Sequence, residues 1–192
     1  MEIDQIALKI LFFEARTVRK WKDKKVDDAL LKKLYDLVKL GPTSANCCPC
    51  RLFFLKSQQA KEQLKPFLDK GNVEQTMQAP VCVIVATDTQ FTQEMDKLNA
   101  KMKDYFEKDE IKKKREMYRS GTLQGGYMIL AARALGLDCG PMGGYDHEGV
   151  NKTFFKDGRL KVLFLCNLGY GDQTDLHPRS PRLDFDEACR IL

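Results

Sequence analysis

Seven consecutive residues, Pro80-Val81-Cys82-Val83-Ile84-Val85-Ala86, carry no polar side chain and are rich in β-branched positions. An extended chain points alternate side chains to opposite faces, so such a run fits only a central strand covered on both sides. Leu160 to Leu168 is its counterpart, and Arg51 to Leu55 reads as a shorter strand. Between them the apolar period changes from strand-like to helical. Leu30, Leu31, Leu34, Leu37 and Val38 recur as on one buried helical face within Val26 to Leu40, with Asp27 or Asp28 as N-cap and Gly41 as stop. Ser57 caps a further helix whose apolar positions are Leu64, Phe67 and Leu68. Gln93 to Ser120 reads as a long, charged, solvated helix. Leu123 to Leu137 mixes Gly125, Gly126, Ala131, Ala132 and Ala134 with larger apolar residues, which predicts a closely packed helix at the centre of the fold. Helices alternating with a few apolar strands predict an α+β or three-layer αβα arrangement, in one domain spanning residues 1–192.

Composition removes several functional classes. The longest apolar runs, Val81 to Ala86 and Tyr127 to Ala132, are far shorter than the roughly 20 residues of a membrane-spanning helix. The start, Met1-Glu2-Ile3-Asp4-Gln5, has neither the basic residues nor the cleavage site of a signal peptide, so a cytosolic location is expected. The 32 Lys and Arg exceed the 27 Asp and Glu by only five, and much of the excess lies in Lys112-Lys113-Lys114-Arg115 among acids, which does not suggest nucleic acid.

The seven cysteines are an odd number, and several sit in apolar runs as small hydrophobic residues. Cys47 and Cys50 form a C-x-x-C around Cys48 and Pro49. That spacing serves zinc and dithiol sites, but the motif follows a helix and enters a strand, the reverse of a thioredoxin-type arrangement, and no second ligand pair completes a zinc site. A metal site is therefore not expected. A cysteine-based redox or metal-binding protein is the non-enzymatic alternative. His147 and His177 are read on loops without a nucleophile at a diagnostic spacing, and the phosphate-binding glycine patterns of P-loop and Rossmann domains are missing.

The remaining chemistry is carried by loops: Arg16-Thr17-Val18-Arg19, Pro42-Thr43-Ser44-Ala45-Asn46, Asn72, a turn from Gly140 to Asp146, and Arg179-Ser180-Pro181-Arg182. Arginines pair bidentately with phosphate, small polar side chains reach the edge of a planar ring, and a Gly-Pro-x-Gly-Gly segment brings backbone N–H groups close to a ligand. Together they suit a phosphorylated planar cofactor.

In that order these motifs resemble the FMN-dependent nitroreductase family, along essentially the whole chain from Arg16 to Arg182. The likeness also includes Asn72 before Ala79-Pro80, the Ala131-Ala132-Arg133-Ala134-Leu135-Gly136-Leu137 helix end, and Pro141-Met142-Gly143-Gly144-Tyr145-Asp146. Within the family the sequence is most similar to the malonic semialdehyde reductases of the pyrimidine-degradation (Rut) pathway, through Ala15-Arg16-Thr17, Gly41 to Asn46, Gly71-Asn72, Leu123-Gln124-Gly125-Gly126-Tyr127, Gly140-Pro141-Met142 and Pro178 to Leu183.

The resemblance implies a central, mostly antiparallel sheet and an intertwined homodimer with FMN at the interface. It places Arg16, Thr17 and Arg19 at the FMN phosphate and ring edge, Arg179 and Arg182 also near the phosphate, and Asn72 and Gln75 by the ring. Pro141, Met142, Gly143 and Gly144 would lie along the flavin, with the backbone N–H of Gly143 toward N5. Pro42, Thr43, Ser44 and Asn46 belong to the loop that would reach the flavin bound mainly by the other subunit. NADH or NADPH would be the hydride donor and a small molecule such as malonic semialdehyde the acceptor, with quinone or nitroaromatic reduction as the enzymatic alternative. Three positions depart from the family pattern: Cys48-Pro49-Cys50 replaces a common Gln-Pro-Trp, Gln75 replaces a common lysine, and Gly143 a frequent glutamate.

Overall fold

A computed structural model describes residues 2–192. In chain order the helices are α1 (Gln5–Leu8), α2 (Asp28–Val38), α3 (Gln58–Leu64), α4 (Lys70–Gln78), α5 (Met95–Leu98), α6 (Lys103–Glu107), α7 (Glu110–Ala134), α8 (His147–Phe154) and α9 (Phe185–Ala188). The strands are β1 (Cys50–Leu55), β2 (Val81–Asp88), β3 (Asp138–Met142) and β4 (Leu160–Gly169). They form one antiparallel sheet in the order β1-β2-β4-β3.

Every residue of β2 is buried, as its unbroken apolar run requires. Val81, Val83 and Val85 point to one face, where they meet Leu31, Leu34 and Val38 of α2 and Met128 and Ala132 of α7. Cys82, Ile84 and Ala86 point to the other, against Leu64 of α3, Val150 of α8 and Tyr145. Helices on both faces make the three layers. Two glycines set the spacing of the upper layer. A Cβ on Gly125 would lie 2.6 Å from the Phe164 ring, and one on Gly121 would lie 3.0 Å from Thr87 Oγ1. Small residues in α7 therefore let the helix settle on the sheet.

Four sequence expectations change. The stretch from Gln93 to Ser120 is broken: α5 ends at Asn99, α6 ends before Asp109, and the side chain of Asp109 accepts a hydrogen bond from the Lys112 N–H to start α7. The helix expected from Leu123 is the second half of α7, which begins at Glu110. The turn expected from Gly140 is in its first part the edge strand β3, because Gly140 and Pro141 sit where a strand passes close to another backbone segment. His147 opens α8. Among the described residues no helix is long and apolar enough to cross a membrane.

Candidate functional site

Residues 15–19 lie against the free edge of β3. Thr17 bridges Cys139 in parallel, and the Val18 N–H donates to the Cys139 carbonyl over 3.0 Å. A Cβ on Gly140 would come within 2.5 Å of the Val18 carbonyl oxygen, so only glycine permits this approach. The arrangement carries Arg16 and Arg19 to the rim of a groove of about 630 Å³. The distant Arg179 closes its other side. Arg16 Nη1 donates to the carbonyls of Phe13 and Ala15, and Arg179 Nη2 donates to those of Phe12, Phe13 and Ala15 at 2.6–3.1 Å.

Arg16, Thr17, Arg19, Arg179 and Arg182 thus line one groove, to which Arg133, His177 and Ser180 also belong. Among the described residues no carboxylate lines it and none of its five arginines has an ion-pair partner. Lost hydration, followed by the charges of Arg16, Arg182 and Arg133, holds Arg179 below its ordinary proton affinity. A cluster of planar cations without counter-charge is a receptor for a phosphate-like anion. Arg133 was missed because it stands in an alanine-rich helix; its position in the last turn of α7, where a cation is favoured, is the available signal.

The second part of the site lies around α4 and the residues after β3. Asn72 Nδ2 donates to the Gly144 carbonyl over 2.8 Å, and Gln75 Nε2 donates to Asn72 Oδ1 over 2.6 Å. One amide N–H and one lone pair of Asn72 remain for a ligand. The Gly144 carbonyl also accepts from the Asp69 N–H, and a Cβ on Gly144 would lie 2.6 Å from Asp69 Oδ2. Beside this crowded residue, Gly143 is exposed, and a Cβ there would meet nothing within 4 Å. Its N–H has no acceptor among the described residues. Pro141 and Met142 lead into it along β3, with Met142 Sδ accepting from the Thr76 hydroxyl at 3.6 Å. Trp21 joins the two parts, since its Nε1 donates to the Gln75 carbonyl over 3.0 Å and its ring lies beside Gly140.

Pro42, Thr43, Ser44 and Asn46 line no part of the arginine groove. Their loop is held elsewhere: the Ser44 N–H donates to Ser120 Oγ, Asn46 Nδ2 to the Leu98 carbonyl, and the Cys48 N–H to Thr43 Oγ1. Ala45, Asn46 and Cys48 adopt positive φ values of 49°, 57° and 40°. Cys47 and Cys50 of the C-x-x-C are buried, and burial pushes the Cys50 thiol up to about 12. Among the described residues no group of His, Cys, Asp and Glu could hold a metal ion.

The sequence profile of the nitroreductase family matches residues 13–170. A protein of Ralstonia nicotianae, named as a candidate NADH dehydrogenase/NAD(P)H nitroreductase, is 55% identical over 184 residues, which cover 95% of this chain and 94% of that protein. A candidate nitroreductase of Exiguobacterium sibiricum, solved in complex with FMN, has a TM-score of 0.86 at 19% identity, covering 100% of this chain and 99% of its own. A candidate NAD(P)H:FMN oxidoreductase of Staphylococcus epidermidis has a TM-score of 0.85 at 19% identity, covering 100% and 98%. The two solved structures establish likeness of fold.

Proposed function

The chain belongs to the nitroreductase family, and from that premise we propose that it is a cytosolic, homodimeric FMN-dependent NAD(P)H oxidoreductase that reduces malonic semialdehyde to 3-hydroxypropanoate. One domain over residues 1–192 carries the chemistry. The observation that supports this reading best is the set of five arginines with no ion-pair partner among the described residues, joined through β3 to the open Gly143. The donor set suits FMN, whose phosphate needs charge and whose ring needs flat, side-chain-free backbone.

Bound FMN would supply the hydride-transfer chemistry that links NAD(P)H to an acceptor. Arg16, Arg19, Arg179 and Arg182 would hold the phosphate, with Thr17 on the same groove. Asn72, steadied by Gln75, offers its remaining amide donor and acceptor to the pyrimidine edge. Pro141, Met142, Gly143 and Gly144 would form the wall along the ring, and the free Gly143 N–H would serve as a donor to N5, a fixed dipole able to stabilise charge as it develops. Pro42, Thr43, Ser44 and Asn46 complete the site from a second copy of the chain, in keeping with their position away from the groove.

The acceptor assignment rests on the motif likeness to malonic semialdehyde reductases. Nitroaromatic or quinone reduction is the second reading, favoured by the name of the Ralstonia relative. Anaerobic spectra separate them. The purified protein should be yellow, bleach with NADH or NADPH, and recover its colour with malonic semialdehyde. Recovery with a nitroaromatic or quinone alone retains the flavoenzyme and rejects the aldehyde. An Arg16→Gln/Arg179→Gln double variant should bind FMN at least tenfold more weakly, since each charge-assisted hydrogen bond contributes about 1.5–3 kcal/mol. FMN affinity unchanged by both substitutions would refute the placement of the phosphate.

A further inference from the structure

A second cleft, of about 750 Å³, shares no lining residue with the arginine groove. It opens between the segment around Trp21, the start of α3 and the end of α4. Lys61 lines it and is only 6% exposed. Its ammonium donates to the carbonyls of Met77 and Ala79 at 2.7 and 2.9 Å, leaving the third N–H without an acceptor among the described residues. No carboxylate pairs with it among the described residues. A buried charge is ordinarily paired, and burial lowers the proton affinity of Lys61 accordingly.

The rim repeats the same sign. Lys22, Lys24, Lys25 and Lys56 line the cleft, against the two carboxylates Asp23 and Asp27. Lys56 is held by Asp28, and Lys24 Nζ lies 3.8 Å from the centre of the Tyr170 ring, so Lys22 and Lys25 are the freer pair. Trp21 and Pro80 provide apolar wall. The combination of a buried cation, exposed rim cations and an aromatic wall suits a small phosphorylated anion, and the volume lies in the range of small-molecule pockets.

We propose that the cleft formed by Trp21, Lys22, Lys25 and Lys61 is a second anion site that binds the phosphates of a nucleotide-sized ligand. The proposal is independent of what occupies the arginine groove.

Trp21 is the single tryptophan of the chain, so its indole N–H gives one resonance in the spectrum of ¹⁵N-labelled protein, and that N–H is bonded to the Gln75 carbonyl beside the cleft. The FMN-saturated protein is titrated with adenosine diphosphate and, separately, with inorganic pyrophosphate. A saturable shift of the indole resonance is expected with a phosphate probe, weakened roughly tenfold or more in Lys61→Met, in line with loss of a charge-assisted hydrogen bond. The exposed Lys22→Gln/Lys25→Gln variant, which leaves the buried contacts intact, should also weaken it severalfold. Tighter binding of the nucleotide assigns the apolar wall to its nucleoside; equal binding assigns the site to a free oligophosphate. The proposal is overturned by no saturable shift with either probe into the millimolar range. A shift retained in both variants, or abolished by Arg179→Gln while surviving them, overturns it too.

Discussion

The side-chain amide of Asn72 donates to the carbonyl oxygen of Gly144 across 2.8 Å, tying α4 to the segment that leaves β3. A Cβ on Gly144 would press on the side-chain ends of Asp69 and Asn72, whereas its neighbour Gly143 stands open. The pair therefore fixes the direction in which the Gly143 N–H is presented.

Removing that tie should loosen the cofactor. Asn72→Ala is expected to weaken FMN binding about fivefold, the equivalent of one net hydrogen bond of about 1 kcal/mol. Gly144→Ala, whose Cβ would press on Asp69 and Asn72, should weaken it more. Quenching of flavin fluorescence on binding measures both. Wild-type affinity in Gly144→Ala would show that the segment yields freely.

Asp88 is fully buried and accepts from Arg51 and from two nitrogens of Arg159. Burial pushes its carboxyl up, but the hydrogen bonds of Arg159 and the Gln90 N–H, with the charges of Arg51 and Arg159, outweigh that and hold it below its ordinary 3.8. A carboxyl lowered in the folded state contributes stability that is fully present above its unfolded value and is lost as pH falls through the folded one. Asp88→Asn should cost about 1–3 kcal/mol at neutral pH, because Arg51 loses its carboxylate partner and Arg159 keeps only the longer contact with Glu94 at 3.9 Å. Thermal unfolding of the variant and the parent should run parallel above pH ~4 and converge only as the solution is acidified below it, and a gap that persists unchanged well below that range would refute the assignment.

Adjacent glycines in α7 should respond in opposite directions. Gly125→Ala places a methyl 2.6 Å from the Phe164 ring and is expected to destabilise by about 1–3 kcal/mol through overpacking. Gly126 is exposed with nothing within 4 Å of an added Cβ. Gly126→Ala should stabilise by about 0.5–1 kcal/mol from helix propensity alone. Denaturant midpoints at constant m report both, and equal effects of the two changes would contradict the packing of α7 on the sheet.

The thiols should divide by burial. Cys189 is exposed and Cys48 half-buried, while Cys47, Cys50, Cys82, Cys139 and Cys166 are buried. Burial pushes Cys50 and Cys82 up to about 12, keeping them protonated at neutral pH. An aromatic disulfide reagent should therefore titrate Cys189 and Cys48 first, the rest only after unfolding. Fast reaction of Cys47 together with Cys50 would instead return weight to a dithiol role.

The sheet was legible where side chains decide the structure. The apolar run at β2 has one physical solution, and the alternation of its two faces predicts the layers that cover it. β3 was hidden because Gly140 and Pro141 are turn formers in isolation; a strand tolerates them at the edge of a sheet, where the Val18 carbonyl needs the space that Gly140 leaves. The break before α7 could have been read from Asp109, an N-cap residue followed by Glu110. The arginines at the two sequence motifs were visible through the family likeness, but the part played by Arg133 was not, since its place beside Arg16 and Arg179 exists only after α7 has packed. Likewise no local pattern relates Trp21 to Gln75, 54 positions away.

The hydrogen bond from Arg179 to the Phe12 carbonyl spans 167 positions. During synthesis, the segment bearing Arg16 emerges from the ribosome well before Arg179 and Arg182 have been joined to the chain. The arginine groove consequently has no co-translational form: a nascent chain can lay down β1 and β2 early, but it can bring the arginines of the groove together as a set only after residue 182 has cleared the exit tunnel.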